Sequence, residues 1–226
     1  MGSTLEKPIS IYTLGTAFRV ILLLFIATPA FSEPIYISDL PGYGVCKEIP
    51  NGQECAEHIE RKVLPEHRFV TRTDSTLTIS TNAGRCEFID SEGKSYHFRG
   101  RILNRLYVIE VSLIEDAEYV ICDRKTGAKF FLAGLPIPAR TGPWFFISTF
   151  DAPRFGPYPS GIQIYHLSSG NIVPVYEQSF PCETWDAAWL SPTEIELNGR
   201  SDPDPDCPSP VIIIRATTGW KPLNYP

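Results

Sequence analysis

"VICDRKTGAKFFL", residues Val120–Leu132, carries the pattern that decides the fold class of this 226-residue chain. Val120 and Ile121, after Tyr119, favour extended backbone, Arg124, Lys125 and Thr126 are polar, and Gly127 is free to take a positive φ. Phe130, Phe131 and Leu132 then resume the apolar run, so the stretch predicts two antiparallel strands joined by a tight turn.

Aligned on its glycine, the same phrasing recurs in "CEFIDSEGKSYHF", "QIYHLSSGNIVPV" and "IIIRATTGWKPLN", with turn glycines Gly93, Gly127, Gly170 and Gly219. Each copy follows another strand candidate: 75–81, 105–114, 143–150 and 187–197, the last broken at Ser191-Pro192. The repeated unit therefore reads as strand, turn, strand, glycine turn, strand. Glycine spacings of 34, 43 and 49 residues lie near the roughly 40–50 residues of one propeller blade. The expected fold is all-β, a propeller-like array of about four antiparallel units with one short N-terminal helix; a β-sandwich is the alternative.

The units resemble those of WD40-like β-propeller proteins of secreted bacterial type, in which a strand running into T/S-G closes a blade and "LSP" opens one. The matching residues are Asp123 to Gly127, His166 to Gly170, Arg215 to Gly219, and Leu190-Ser191-Pro192, within about residues 68–224. The Trp-Asp pair that ends family blades stands here at the start of a unit, as Trp185-Asp186.

Residues 1–32 carry Lys7 and Arg19, then the apolar run Val20 to Ala27, then "TPAFS". This is the pattern of a secretory signal peptide with cleavage between Ser32 and Glu33. Its apolar run is shorter than the roughly 18–20 residues of a membrane span, so no stable anchor is expected after cleavage. Residues 33–67 read as a lead-in loop and helix, and 68–226 as the β-repeat packed with them into one domain. The helix has Asn51 as cap, Glu54 three residues on, a stripe of Cys55, Ile59 and Val63, and Pro65 at its end.

Without the leader the chain keeps 18 basic against 25 acidic residues, a charge of −7. An acidic chain lacks the basic face that phosphate backbones demand, so nucleic acid is excluded as a partner. Cys46, Cys55, Cys86, Cys122, Cys182 and Cys207 all follow the leader, and an even count in an exported chain implies disulfides. Six cysteines allow 15 connectivities. The last strand hairpin brings Cys182 near Cys207; Cys46 and Cys55 are nearest neighbours around the helix start; Cys86 and Cys122 are then left for each other, the least constrained pairing.

No stretch supplies a complete catalytic or metal motif. Asp202, Asp204 and Asp206 alternate as calcium-loop ligands do, yet Cys207 stands where the sharp-turn glycine belongs. His58 lacks the partner imidazole of a helical zinc site, His67 falls in no metal motif, and His97 and His166 fall in strands, where partial exposure is the ordinary case. No G-x-S-x-G is present. Glu110, Asp116, Glu118, Glu177, Glu183, Asp186, Glu194 and Glu196 offer many carboxylate pairs and no means of choosing among them. Trp185 and Trp189, together with Trp144-Phe145-Phe146, read first as core and second as a sugar-stacking platform. Two proline-rich loops, 151–161 and 198–210, are the places to look for binding. The expectation is a secreted, periplasmic or extracellular, non-catalytic binding protein of inhibitor or immunity type, with no cofactor and an extracytoplasmic protein or glycan as partner. The alternative is a secreted hydrolase acting on carbohydrate or peptide, with carboxylates in a central pocket.

Overall fold

A computed structural model of the chain describes residues 46, 48–49, 51–113, 117–149, 161–180, 185–199 and 210–223. It is mostly strand, with one α-helix, α1 (Gly52–Val63), continued by a 3-10 turn at Leu64–Glu66. The first sheet holds β1 (Val70–Thr73), β2 (Thr76–Thr81) and β3 (Gly84–Ile89). The second holds β4 (Lys94–Ile102), β5 (Leu106–Leu113), β6 (Ala117–Asp123) and β7 (Lys129–Leu132). The third holds β8 (Pro136–Pro138), β9 (Trp144–Thr149), β10 (Gly161–Ser168) and β11 (Asn171–Ser179), and the fourth β12 (Trp185–Ser191), β13 (Glu194–Gly199), β14 (Val211–Ala216) and β15 (Gly219–Pro222). In every sheet each strand pairs antiparallel with its chain neighbour, and the sheets are not closed into a barrel. The fold is all-β.

The opening stretch forms the β6–β7 hairpin, in the register Tyr119↔Leu132 to Cys122↔Lys129. Its turn is organised from below by Asp123, which is fully buried and bound in a fork by Arg105 while its Oδ1 also accepts the Lys125 N–H at 2.8 Å. Burial pushes the Asp123 carboxyl up, but Arg105, the Lys125 N–H and the Thr126 hydroxyl hold it below its ordinary value. Gly127 has φ +71°, and a Cβ there would meet Thr81 Oγ1 at 3.3 Å. That turn therefore needs glycine for both its backbone and its neighbour.

Gly127, Gly170 and Gly219 occupy corresponding places, each at the turn joining the third and fourth strands of a sheet, Gly219 as the first residue of β15. Gly93 does not. It lies between β3 and β4, which belong to different sheets and form no ladder, the turn between them closing at the bridge Ser91↔Lys94. The stretch that reads as a hairpin of the first unit is thus a crossing from one sheet to the next. The units also differ from the expected three strands: the second to fourth sheets have four each, and "LSP" lies within the β12–β13 hairpin rather than opening a unit.

Alternation along the strands feeds two cores. Phe145 and Ile147 of β9 join the core of the first two sheets and the helix, while Phe146, between them, packs with Ile162, Ile164, Ile195, Ile213 and Trp220 toward the fourth sheet. Leu106 to Val111 of β5 are buried without a break, as expected of a strand covered on both faces. Trp189 packs against Phe146 and Trp220, and its indole N–H donates to Ile137 O at 3.0 Å, so it serves the core.

Two disulfides brace this arrangement. Cys46–Cys55 pins the lead-in to the first turn of α1, as the proximity of the two positions suggests, and Cys86–Cys122, expected only by elimination, ties β3 to β6 across the first two sheets. Cys182 and Cys207 lie outside the described residues. Replacing Cys86 and Cys122 together by serine opens a bridge with sequence separation 36. Urea unfolding of that variant is expected to show a loss of about 4 kcal/mol, larger than that for the pair with the separation of 9.

Candidate functional site

The site grows out of one sheet edge that no neighbouring strand covers. β4 is the outermost strand of its sheet, paired with β5 on one side only. Alternate residues of an edge strand turn their N–H and C=O groups outward, and these groups require partners when buried. On β4 the outward residues are Tyr96 and Phe98, and three side chains from outside the sheet bind them. The Tyr96 N–H donates to Asp90 Oδ1 at 2.8 Å, the Tyr96 C=O accepts from Arg72, and the Phe98 N–H donates to Glu60 Oε1 at 3.1 Å.

Arg72 of β1 connects these caps to each other. Its Nε donates to Glu60 Oε2 at 2.9 Å, its Nη2 to Glu60 Oε1 at 3.2 Å, and its Nη1 to Asp90 Oδ2 at 3.0 Å. The planar guanidinium thus holds two carboxylates and a carbonyl at once, which a lysine could not do.

Glu60 reaches this edge because α1 lays one stripe on it. Asn51 Oδ1 caps the helix by accepting from the Gln53 and Glu54 N–H groups at 2.8 and 3.4 Å, and Cys55, Ala56, Ile59, Glu60 and Val63 form the buried face. Glu60 is the one charged member of that face, only 4% exposed. Burial pushes its carboxyl up, but the His97 ring, the Phe98 N–H and the Arg72 charge together hold it below its ordinary value.

Next to the cap is a cleft of about 280 Å³, lined by Glu60, Arg72, Asp90, Ser95 and His97 with Gln53, Glu57, Arg61 and Asp74. Ser95 and His97 stand two residues apart on β4 and so share one face of the strand. Ser95 Oγ lies 2.9 Å from His97 Nε2, and His97 Nδ1 lies 3.7 Å from Glu60 Oε2, an ion-pair separation longer than a hydrogen bond. Across β5 the register sets Glu110 opposite His97 and Ser112 opposite Ser95. Glu110 is itself buried and ion-paired with Arg99 at 3.2 Å.

The sequence singled out none of this constellation as a site. His97 is 3% exposed rather than partly exposed, because the helix closes over it. His58 and His166 are half-buried, and His67, buried at the end of the 3-10 turn, packs edge-on against Phe98. Burial lowers the His67 imidazole from its ordinary value, with the Arg101 charge acting in the same direction. Of the carboxylates weighed in pairs, Glu110, Glu118, Glu177, Glu194 and Glu196 do not line the cleft; Asp116 and Glu183 lie outside the described residues. So do 151–160 and 200–209, hence most of both proline-rich loops and the three aspartates. Among the described residues no group of three or more His, Cys, Asp or Glu is placed to hold a metal. The sequence did hold one cue, the Ser-x-His alternation of "SYH" on a predicted strand.

Compared with known families, characterised proteins and solved structures, the chain matches none.

Arg72→Ala leaves Glu60 buried without its cation, and urea unfolding at pH 7 is expected to show a loss of about 3 kcal/mol. Since the Glu60 carboxyl titrates lower in the folded chain, its contribution is complete above the ordinary carboxylate range and lost as pH falls through the folded value. The gap between wild type and Arg72→Ala should therefore narrow in acid; a gap constant from pH 7 to 3 would contradict this arrangement.

Proposed function

We propose that the chain is exported and acts outside the cytoplasm as a disulfide-stabilised binding protein, with an extracytoplasmic protein or a glycan as partner. The observation that carries this is Cys86–Cys122, which joins two separate sheets through a fully buried core. Such a bond persists in oxidising compartments, and the leader-like residues 1–32 supply the route there. Four successive meanders in chain order support the propeller-like arrangement. In that arrangement loops gather at the ends of the sheets, where binding surfaces form.

Binding is favoured over the carboxylate-based hydrolysis of a glycosidase by the state of the acids in the cleft. Glu60 and Asp90 spend their oxygens on one guanidinium and on the edge of β4. A glycosidase general acid needs its affinity for protons raised, whereas that of Glu60 is lowered. These acids serve as scaffold, and an inhibitor or immunity-type role is the form of binding proposed.

Expression of the whole chain with a C-terminal tag tests the proposal. The expected product starts at Glu33, is found in the exported fraction, and shows Cys46–Cys55 and Cys86–Cys122 in non-reduced peptide maps. Cross-linking of that fraction, and a glycan array probed with the purified protein, should yield one saturable partner abolished by reduction. An uncleaved chain retained in the cytoplasm with reduced cysteines would overturn it.

A further inference from the structure

We propose that Ser95 is a nucleophile, activated by His97 and positioned through Glu60, which accepts a short acyl group from an ester entering the cleft. This goes beyond the binding proposal and stands or falls separately from it. The three side chains come from two elements, with Ser95 Oγ 2.9 Å from His97 Nε2 and His97 Nδ1 3.7 Å from Glu60 Oε2, a charge–dipole separation rather than a hydrogen bond. All three line the same cleft.

The charges decide how the imidazole is oriented. Glu60, from α1, faces Nδ1 as a carboxylate, because Arg72 and the Phe98 N–H hold it ionised. Glu110, opposite His97 on β5, is engaged by Arg99. The proton of a neutral imidazole therefore sits on Nδ1, toward Glu60, and leaves the Nε2 lone pair to accept the Ser95 O–H. Glu60 cannot swing away, since both its oxygens are bound to Arg72. It is a positioning residue, while Ser95 and His97 meet the reacting atoms.

Exposure follows the same order. Glu60 and His97 are 4% and 3% exposed, so the base and its orienting acid are shielded from water, whereas Ser95 is half-buried and opens on the cleft. A volume of about 280 Å³ falls just below the roughly 300–1,000 Å³ of drug-sized ligand sites, which favours a short acyl chain. Arg61, exposed on the same cleft, carries the N–H donors assigned to the developing oxyanion.

The chemistry is acyl transfer. Ser95 Oγ attacks the ester carbonyl carbon while its proton moves to His97 Nε2. The C–O bond to the leaving alcohol breaks, and that alcohol takes the proton from His97. Water then adds to the acyl-Ser95 carbonyl, giving one proton to His97. Collapse releases the carboxylic acid and returns the proton to Ser95 Oγ. The net reaction is ester plus water to acid plus alcohol.

The test treats the whole folded protein with a fluorophosphonate probe and, separately, with p-nitrophenyl acetate. Ser95 begins the tryptic peptide 95–99, and exposed Ser91 lies in the preceding one, so the two are read apart in one digest. The expected result is one probe per chain, on the 95–99 peptide, at a rate at least about 100-fold above that at Ser91. The rate should fall about 100-fold in His97→Gln protein whose two disulfides and unfolding curve are unchanged. Ser95→Ala should abolish the p-nitrophenol burst while leaving partner binding intact, which separates failure of this proposal from failure of the binding one. Ser95 left unmodified in folded wild-type protein, or labelled no faster than Ser91, would overturn the proposal. So would a rate unaffected by His97→Gln.

Discussion

A buried strand edge must find partners for its backbone, and in this protein a single arginine organises the supply. β4 presents Tyr96 and Phe98 outward, and Arg72 with its two carboxylates binds their N–H and C=O groups where a neighbouring strand would otherwise lie. Much follows from that substitution. β3 forms no ladder with β4 past the bridge Ser91↔Lys94 in the turn between them, and the first two sheets remain separate. The helix is fixed by its one buried charge. The floor of the polar cleft is made from the same groups.

A cap of this kind is costly unless complete, because each ion taken from water must recover its hydration through direct bonds. Completeness is visible here: both oxygens of Glu60 and of Asp90 accept hydrogen bonds, and Arg72 donates from all three of its nitrogens. Asp123 and Arg105 repeat the solution under the β6–β7 turn. In both places a carboxylate from one element satisfies backbone amides of a turn or an edge, and an arginine neutralises it. Cys86–Cys122 adds a covalent tie between the same two sheets. Electrostatic caps and one disulfide therefore guard the junction that strand pairing leaves open.

Local pattern was legible wherever local chemistry decides structure. Alternation and turn residues in Val120–Leu132 give the β6–β7 hairpin, and Asn51 with the Cys55, Ile59, Val63 stripe gives α1. Cys46–Cys55 followed from the proximity of its two positions, and Cys86–Cys122 from elimination once the other four cysteines were paired. What misled was "CEFIDSEGKSYHF", whose apolar runs and glycine match a hairpin although its strands separate into two sheets. Nothing within those residues reports that Glu60 and Arg72, 38 and 24 residues from their backbone partners, take the place of the missing strand. The brief β1 (Val70–Thr73) and the proline-bounded β8 (Pro136–Pro138) also escaped, being too short to alternate convincingly. For the same reason the cleft was hidden: Ser95 and His97 show their shared face in sequence, but their acid arrives from the helix.

Native-state hydrogen exchange at single amides tests this account most directly. If Asp90 and Glu60 stand in for a strand, the Tyr96 and Phe98 N–H groups, though on a sheet edge, should exchange as slowly as those in the centre of the second sheet, such as Val108 and Val120. The Phe98 amide should lose protection selectively in Glu60→Ala protein, with Val108 and Val120 keeping the greater part of theirs. Rapid exchange of Tyr96 and Phe98 in the wild-type protein, at the rate of an open edge, would contradict the central claim.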